Sequence, residues 1–223
     1  VDFADFVVFA QLYGQVVQST TLLVSSAADS GKGTLRQALL DAMASDSIAF
    51  DPSVFPPDSS VTIALLTSLP ELTQGHLTID ASDAGGILDG SGIIAPDLAH
   101  GLRIASSFNV IRGLQIVGLS EVGVSLVGGA RHNVIGGDPE VGDGPLGQGN
   151  LLSGNGFFGI GIWGEETAFN TIKGNTIGAD QSGLSSQPNT EGGVFINLGA
   201  NNNTIGPDNI IAFNGGAREE GER

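Results

Sequence analysis

The chain contains no cysteine, so neither a disulfide framework nor thiol chemistry is open to it. Cations are scarce: Lys and Arg total 8 against 24 Asp and Glu, and none falls between Gln37 and Leu102. A net charge of −16 lacks the clustered cations a nucleic-acid partner requires. It also repels anionic polysaccharides such as pectate unless a bound cation intervenes. No apolar run approaches the roughly 20 residues of a membrane span. No basic stretch followed by an apolar one opens the chain, so any signal peptide is expected to lie outside this sequence. Charged residues make up 14% of the chain and hydrophobic ones 40%, which excludes disorder and allows one solenoid or one ordinary domain with a large core. What is abundant is glycine, at 35 residues, far above an average of about 7% and without a collagen period.

Three short patterns recur in a fixed order. The first is Gly-apolar-x-apolar, at Gly101-Leu-Arg-Ile104, Gly123-Val-Ser-Leu126, Gly159-Ile-Gly-Ile162 and Gly193-Val-Phe-Ile196. The second, Asn-x-Ile-x-Gly or close to it, begins at Asn109, Asn133, Asn170 and Asn203. The third, Asn-apolar-apolar, begins at Asn150, Asn175 and Asn209. Strands this short bury nothing alone and become stable when like strands stack above and below them. The spacing predicts an all-β fold, a right-handed parallel β-helix whose coils take about 24 residues, with loops inserted at 138–148 and 179–191. Asn is expected at left-handed turn positions with its amide bonded to the equivalent Asn one coil away, and Gly at the other positive-φ corners. A β-sandwich also has short strands and Gly-rich turns, but it does not repeat Asn-x-Ile at matched offsets.

Thr34 precedes a helical run, Leu35 to Ala42, and Gln37 stands where it closes a capping box. The helix falls before the first expected strands, 47–50 and 61–64. It is expected to lie across the open end of the solenoid as an N-terminal cap, rather than free on the surface. The stretch from Ser25 to Ala42, followed by Asp46-Ser-Ile-Ala-Phe50, resembles the opening of bacterial right-handed β-helix repeat proteins, and residues 20 to 216 resemble their coils. That resemblance implies a secreted or cell-surface protein and leaves function open, because the architecture carries lyases, hydrolases, adhesins and stalks alike. Residues 1–14 resemble the end of a dockerin-type calcium loop and its exiting helix, with Asp2 and Asp5 as late loop ligands but without the Asp/Asn-rich first half. The expected organisation is an amphipathic helix at 1–18, a cap at 19–46, coils at 47–216 and a polar tail at 217–223.

Insertions on one face of a repeat array often form the binding face. The first inserted loop offers Asp138, Glu140 and Asp143, oxygen ligands suited to Ca²⁺; Gly/Asp-rich turns are their plainer reading. The second carries Asp180 and Glu191. Glu165 and Glu166 follow Trp163, the single tryptophan. If both Ile of Gly159-Ile-Gly-Ile162 point inward, Trp163 points out, either as a sugar-stacking platform beside two carboxylates or as a ring folded over a corner. The repeats also predict two outward columns, Arg103 with Ser125, Gly161 and Phe195, and Arg112 with Gly136, Lys173 and Gly206. Neither sets a base beside an acid. His76, His100 and His132 share no ligand spacing, and none of the paired-Asp, Gly-His-Gly or Arg-x-Lys motifs of polygalacturonase-like hydrolases is present.

The sequence therefore points first to a non-catalytic structural or carbohydrate-binding module, with Trp163, Arg103 and Lys173 as binding residues. It points second to a lyase or glycoside hydrolase working along one strand face, with Glu165, Glu166, Asp180 and Glu191 as candidate carboxylates. No cofactor is required, and Ca²⁺ is the ion the residues allow. The last coil has no obvious cap, which predicts end-to-end self-association or a longer array.

Overall fold

The computed structural model describes residues 19–94 and 99–215; the dockerin-like segment with Asp2 and Asp5 and the polar tail lie outside the described residues. The chain opens with β1 (Thr21–Val24) and α1 (Leu35–Asp41) and then makes successive passes through three sheets. The first pass holds β2 (Ser47–Phe50) and β3 (Val61–Ala64); the second β4 (Thr78–Asp80), β5 (Gly86–Asp89) and β6 (Leu102–Ile104). The third holds β7 (Val110–Arg112), β8 (Leu114–Val117) and β9 (Val124–Leu126); the fourth β10 (Val134–Gly136), β11 (Leu151–Ser153) and β12 (Phe158–Trp163). The fifth holds β13 (Thr171–Lys173), β14 (Thr176–Ile177) and β15 (Gly192–Asn197), followed by β16 (Thr204–Ile205) and β17 (Ile210–Ile211).

Sheet A runs β1-β2-β4-β7-β10-β13-β16, sheet B β3-β5-β8-β11-β14-β17 and sheet C β6-β9-β12-β15. Every strand pairing is parallel, each strand bonding to its counterparts one pass before and after, an all-β arrangement compatible with a parallel β-helix. The registers turn the sequence repeats into columns. Ile48, Ile79, Ile111, Ile135, Ile172 and Ile205 align down sheet A. Ile63, Leu88, Ile116, Leu152, Ile177 and Ile211 align down sheet B. One hydrophobic cluster joins side chains of all three sheets, and each fully buried Ile or Leu in it contributes about 1.5–3 kcal/mol.

Helix α1 puts Leu35, Ala38 and Leu39 into that cluster and packs against β1 and β2, so it is not a free surface helix. Thr34 caps it by accepting from the Gln37 amide at 3.2 Å, but the capping box is only half made. The Gln37 side chain turns instead to Asp41 at 2.8 Å, a partner one turn along its own helix.

Of the two expectations about the turns, glycine at positive-φ corners holds, as at Gly113, Gly136, Gly174 and Gly178, and the other needs correcting. The ladder asparagines are not left-handed; the residues just before them are, at Phe108, His132, Phe169, Asn202, Asp208 and Phe213. The glycines of Gly-apolar-x-apolar meet a different need, close packing rather than positive φ. A Cβ on Gly101 would lie 2.4 Å from the Gly123 carbonyl oxygen and 2.6 Å from Ile116 Cγ2, and one on Gly159 would lie 2.5 Å from Ile177 Cγ2. These glycines sit where sheet C turns against sheet B, and a side chain has no room there.

Candidate functional site

Among the described residues, aromatic and polar groups converge on the outer side of sheet C. Its registers place Arg103 beside Ser125, Ser125 beside Gly161 and Gly161 beside Phe195, the column read from the repeats. Leu72 extends the sheet by one further bridge to Ile104, which brings Glu71 next to Arg103 at 3.0 Å. At strand spacings near 4.8 Å the row from Glu71 to Phe195 is about 19 Å long. Trp163, two residues beyond Gly161, folds back over it: a Cβ on Gly161 would lie 1.8 Å from the indole Cη2. The ring therefore lies on the sheet face, neither projecting freely nor wrapped over a corner. Its neighbour Phe195 has its centroid 6.2 Å away, and Phe158 stacks on Phe195 at 4.4 Å with ring planes 6° apart. All three rings are partly exposed; the indole is tilted 52° from Phe195, and Phe195 and Phe158 cover one face of each other. At the polar end of this face the Ser125 hydroxyl and His100 Nδ1 are 3.0 Å apart.

Other candidate residues have structural partners. Asp180 Oδ1 accepts from the Ser182 hydroxyl at 2.8 Å and from the Ser185 and Leu184 amides, and these bonds hold the carboxyl below its usual range. It organises the turn of the second inserted loop. The Glu191 amide bonds to the Phe157 carbonyl at 2.8 Å. Glu165 and Glu166 are exposed at a turn, where their backbone carbonyls accept from Asn201 and Arg131. Lys173 pairs in register with Gly136 on sheet A, away from the aromatic surface. Arg103 and Arg112 each do have an acid beside them, contrary to the column reading, because the preceding pass supplies Glu71 and Asp80. Arg112 is 2.5 Å from Asp80.

The two inserted loops meet where Gln181 donates to the Pro145 carbonyl at 3.1 Å. Between them lies a cleft of about 170 Å³ lined by Pro139, Leu146, Thr176, Gln181 and Ile210, without an ionisable side chain. Asp138 Oδ1 accepts from the Glu140 amide at 2.9 Å, and the Asp143 amide donates to Asp83 at 3.1 Å. Among the described residues no three His, Cys, Asp or Glu gather as a metal site would need. No helix among them is long and apolar enough to cross a membrane.

A second aromatic feature went unread in the sequence. His76, Phe108, His132 and Phe169 stack in a line, with centroids 4.8, 4.9 and 5.3 Å apart and planes within 13°. All four are left-handed, φ +52 to +63°. The signal was available: three of them immediately precede a ladder asparagine. Phe108 and His132 have both faces covered by their neighbours, which leaves only the outer faces of His76 and Phe169 outside the stack. Stacking at about 0.5–1.5 kcal/mol per pair offsets the roughly 1–2 kcal/mol of each left-handed backbone.

No protein family, curated protein or solved structure matches this chain.

Proposed function

We propose that the three sheets are the faces of a right-handed parallel β-helix closed at one end by α1, and that the protein is a non-catalytic, glycan-binding module of an exported bacterial protein. Right-handed connection between parallel strands is the strong rule for such crossovers. The observation that carries the binding reading is the Trp163 indole laid over Gly161 and continued by Phe195 and Phe158. Aromatic faces carry negative charge density that attracts the C–H faces of sugar rings, and the supporting sheet holds the indole against Gly161 without ordering a loop. The net charge of −16 favours an uncharged glycan over a polyanion. The carboxylates nearest in sequence, Glu165 and Glu166, bond through their backbones at an exposed turn, so the reading assigns them no catalytic role.

The last described pass leaves Ile205 39% and Ile211 46% exposed, in columns whose earlier members are buried. A second copy presenting the same columns is the self-association we propose for this end. Light scattering across concentration tests it, and a strict monomer at high concentration would contradict it. For the glycan reading, affinity electrophoresis against soluble neutral β-glucan, xylan and galactomannan, with reducing-end release measured in parallel, is the test. Retardation without release is expected. Release of sugar ends would replace the reading with a glycoside hydrolase.

A further inference from the structure

Ser125 faces the outer side of β9 between Arg103 and Gly161, yet it is 0% exposed. Its hydroxyl hydrogen therefore needs an acceptor inside the protein, since a buried donor without one costs about 1–3 kcal/mol. The partner is His100 Nδ1 at 3.0 Å. An imidazole nitrogen accepts only when it carries no proton. With the Ser125 hydroxyl donating to Nδ1, the ring is neutral and its proton sits on Nε2. The reverse arrangement, Nδ1–H donating to Ser125, leaves the buried hydroxyl hydrogen without an acceptor among the described residues. Burial of the ring and the neighbouring Arg103 charge act the same way, holding the His100 pKa below its ordinary value. His100 is itself only partly buried. Ser125, the residue it contacts, is one strand spacing from Gly161 and the indole above it.

We infer that His100, locked by Ser125 as the neutral Nε2–H tautomer, is the specificity-determining hydrogen-bond donor of this face, reading a hydroxyl or ring oxygen of an uncharged glycan whose apolar side rests on Trp163. The inference rests on the glycan-binding reading above and adds its polar half. An aromatic platform alone accepts any flat sugar; a fixed donor beside the same sheet selects those with an acceptor oxygen at a matching offset. Ser125 is a positioning residue, because it is buried and acts through His100.

The test has two parts. Long-range ¹H–¹⁵N spectra of the imidazoles in wild type are expected to show His100 as the Nε2–H tautomer at neutral pH, and Ser125→Ala to release it to a tautomer mixture. A wild-type Nδ1–H pattern would overturn the inference whatever binds. Calorimetric titration with cellohexaose, mannohexaose and xylohexaose is then expected to show His100→Leu losing about tenfold in affinity for the hexaose bound best. His100→Gln, whose amide can accept from Ser125 and still donate outward, is expected to stay within about threefold. If Trp163→Ala loses binding while His100→Leu does not, the platform stands and the inference falls. If wild type binds none of the hexaoses, the glycan reading fails and the inference with it. Thermal unfolding of each variant separates loss of donor from loss of fold.

Discussion

The side-chain amide of Asn133 donates to Oδ1 of Asn170 at 2.9 Å across 37 residues of sequence, repeating the bond that Asn109 makes to Asn133 at 2.8 Å across 24. The bond is indifferent to the length of the loop between its members. Insertions therefore leave the stack in register, and three such ladders run through the interior. The amides of Asn133, Asn150, Asn170 and Asn175 also donate to backbone carbonyls, as Asn150 does to Ile111 at 2.9 Å, while the Asn150 Oδ1 accepts from the Leu114 amide. Asn150→Ala would strand the Leu114 amide, the Ile111 carbonyl and part of Asn175 in a dry core. A loss of about 3–5 kcal/mol is expected in urea unfolding. Asn214→Ala, in the last described pass and only partly buried, is expected to cost less than half of that.

Glycines in this chain fall into two kinds with different substitution costs. Gly123→Ala would bring a methyl to 2.7 Å from the Gly159 carbonyl oxygen and 3.0 Å from Leu152 Cδ2. It is expected to lose about 1–3 kcal/mol through overpacking. Gly154 has φ +68° and open space around it, so Gly154→Ala is expected to cost only the left-handed penalty, about 1–2 kcal/mol. Gly154→Asn is expected to recover most of it, while Gly123→Asn is expected to be worse than Gly123→Ala. Thermal unfolding of the four variants checks the distinction.

Arg36 fastens α1 to the rest of the molecule. Its guanidinium donates to Asp29 Oδ1 at 2.7 Å, to the Asp29 carbonyl at 3.1 Å and to the Ser68 and Thr67 carbonyls at 2.6 and 2.9 Å. Lysine cannot reproduce four bonds from one planar fork. Both Arg36→Lys and Arg36→Ala are expected to lose about 2–3 kcal/mol. The loss should appear in hydrogen exchange first as opening of α1 and β1.

Stability should fall in two acid steps. His100 has a lowered pKa from burial and from Arg103, so the unfolded chain binds its proton first. Its contribution is complete above 6.5, the ordinary value, and is lost as pH falls below it. Asp80 is raised by burial, but hydrogen bonds from Arg112 and Ser82 outweigh that and leave it below 3.8. Its contribution is complete above that value and is lost beneath it. Unfolding midpoints against pH are expected to show both steps in wild type, and only the lower one in His100→Gln.

Much of the fold was legible because its determinants are local and repeated. Asn-x-Ile and Gly-apolar-x-apolar recur at offsets that become columns, and Thr34 announces the helix. The outward alignment of Arg103, Ser125, Gly161 and Phe195 followed from the same offsets. The site was less legible because its members come from passes without the repeat. Glu71 and Asp80 precede the first clear copy of the motif, so the partners of Arg103 and Arg112 stayed hidden. His100 precedes Gly101 and belongs to no pattern; only a buried Ser125 gives it meaning. Trp163 over Gly161 could have been anticipated, since a strand residue two positions from an outward glycine has bare backbone to lie on.

Trp163 is the single tryptophan, so intrinsic fluorescence reports on the proposed platform alone. The most direct measurement is its emission during titration with neutral β-glucan, xylan and galactomannan. A saturable blue shift with at least one of them, with binding lost in Trp163→Ala at unchanged thermal stability, is the expected result. An emission spectrum unmoved by every glycan, or undiminished binding by Trp163→Ala, would contradict the account.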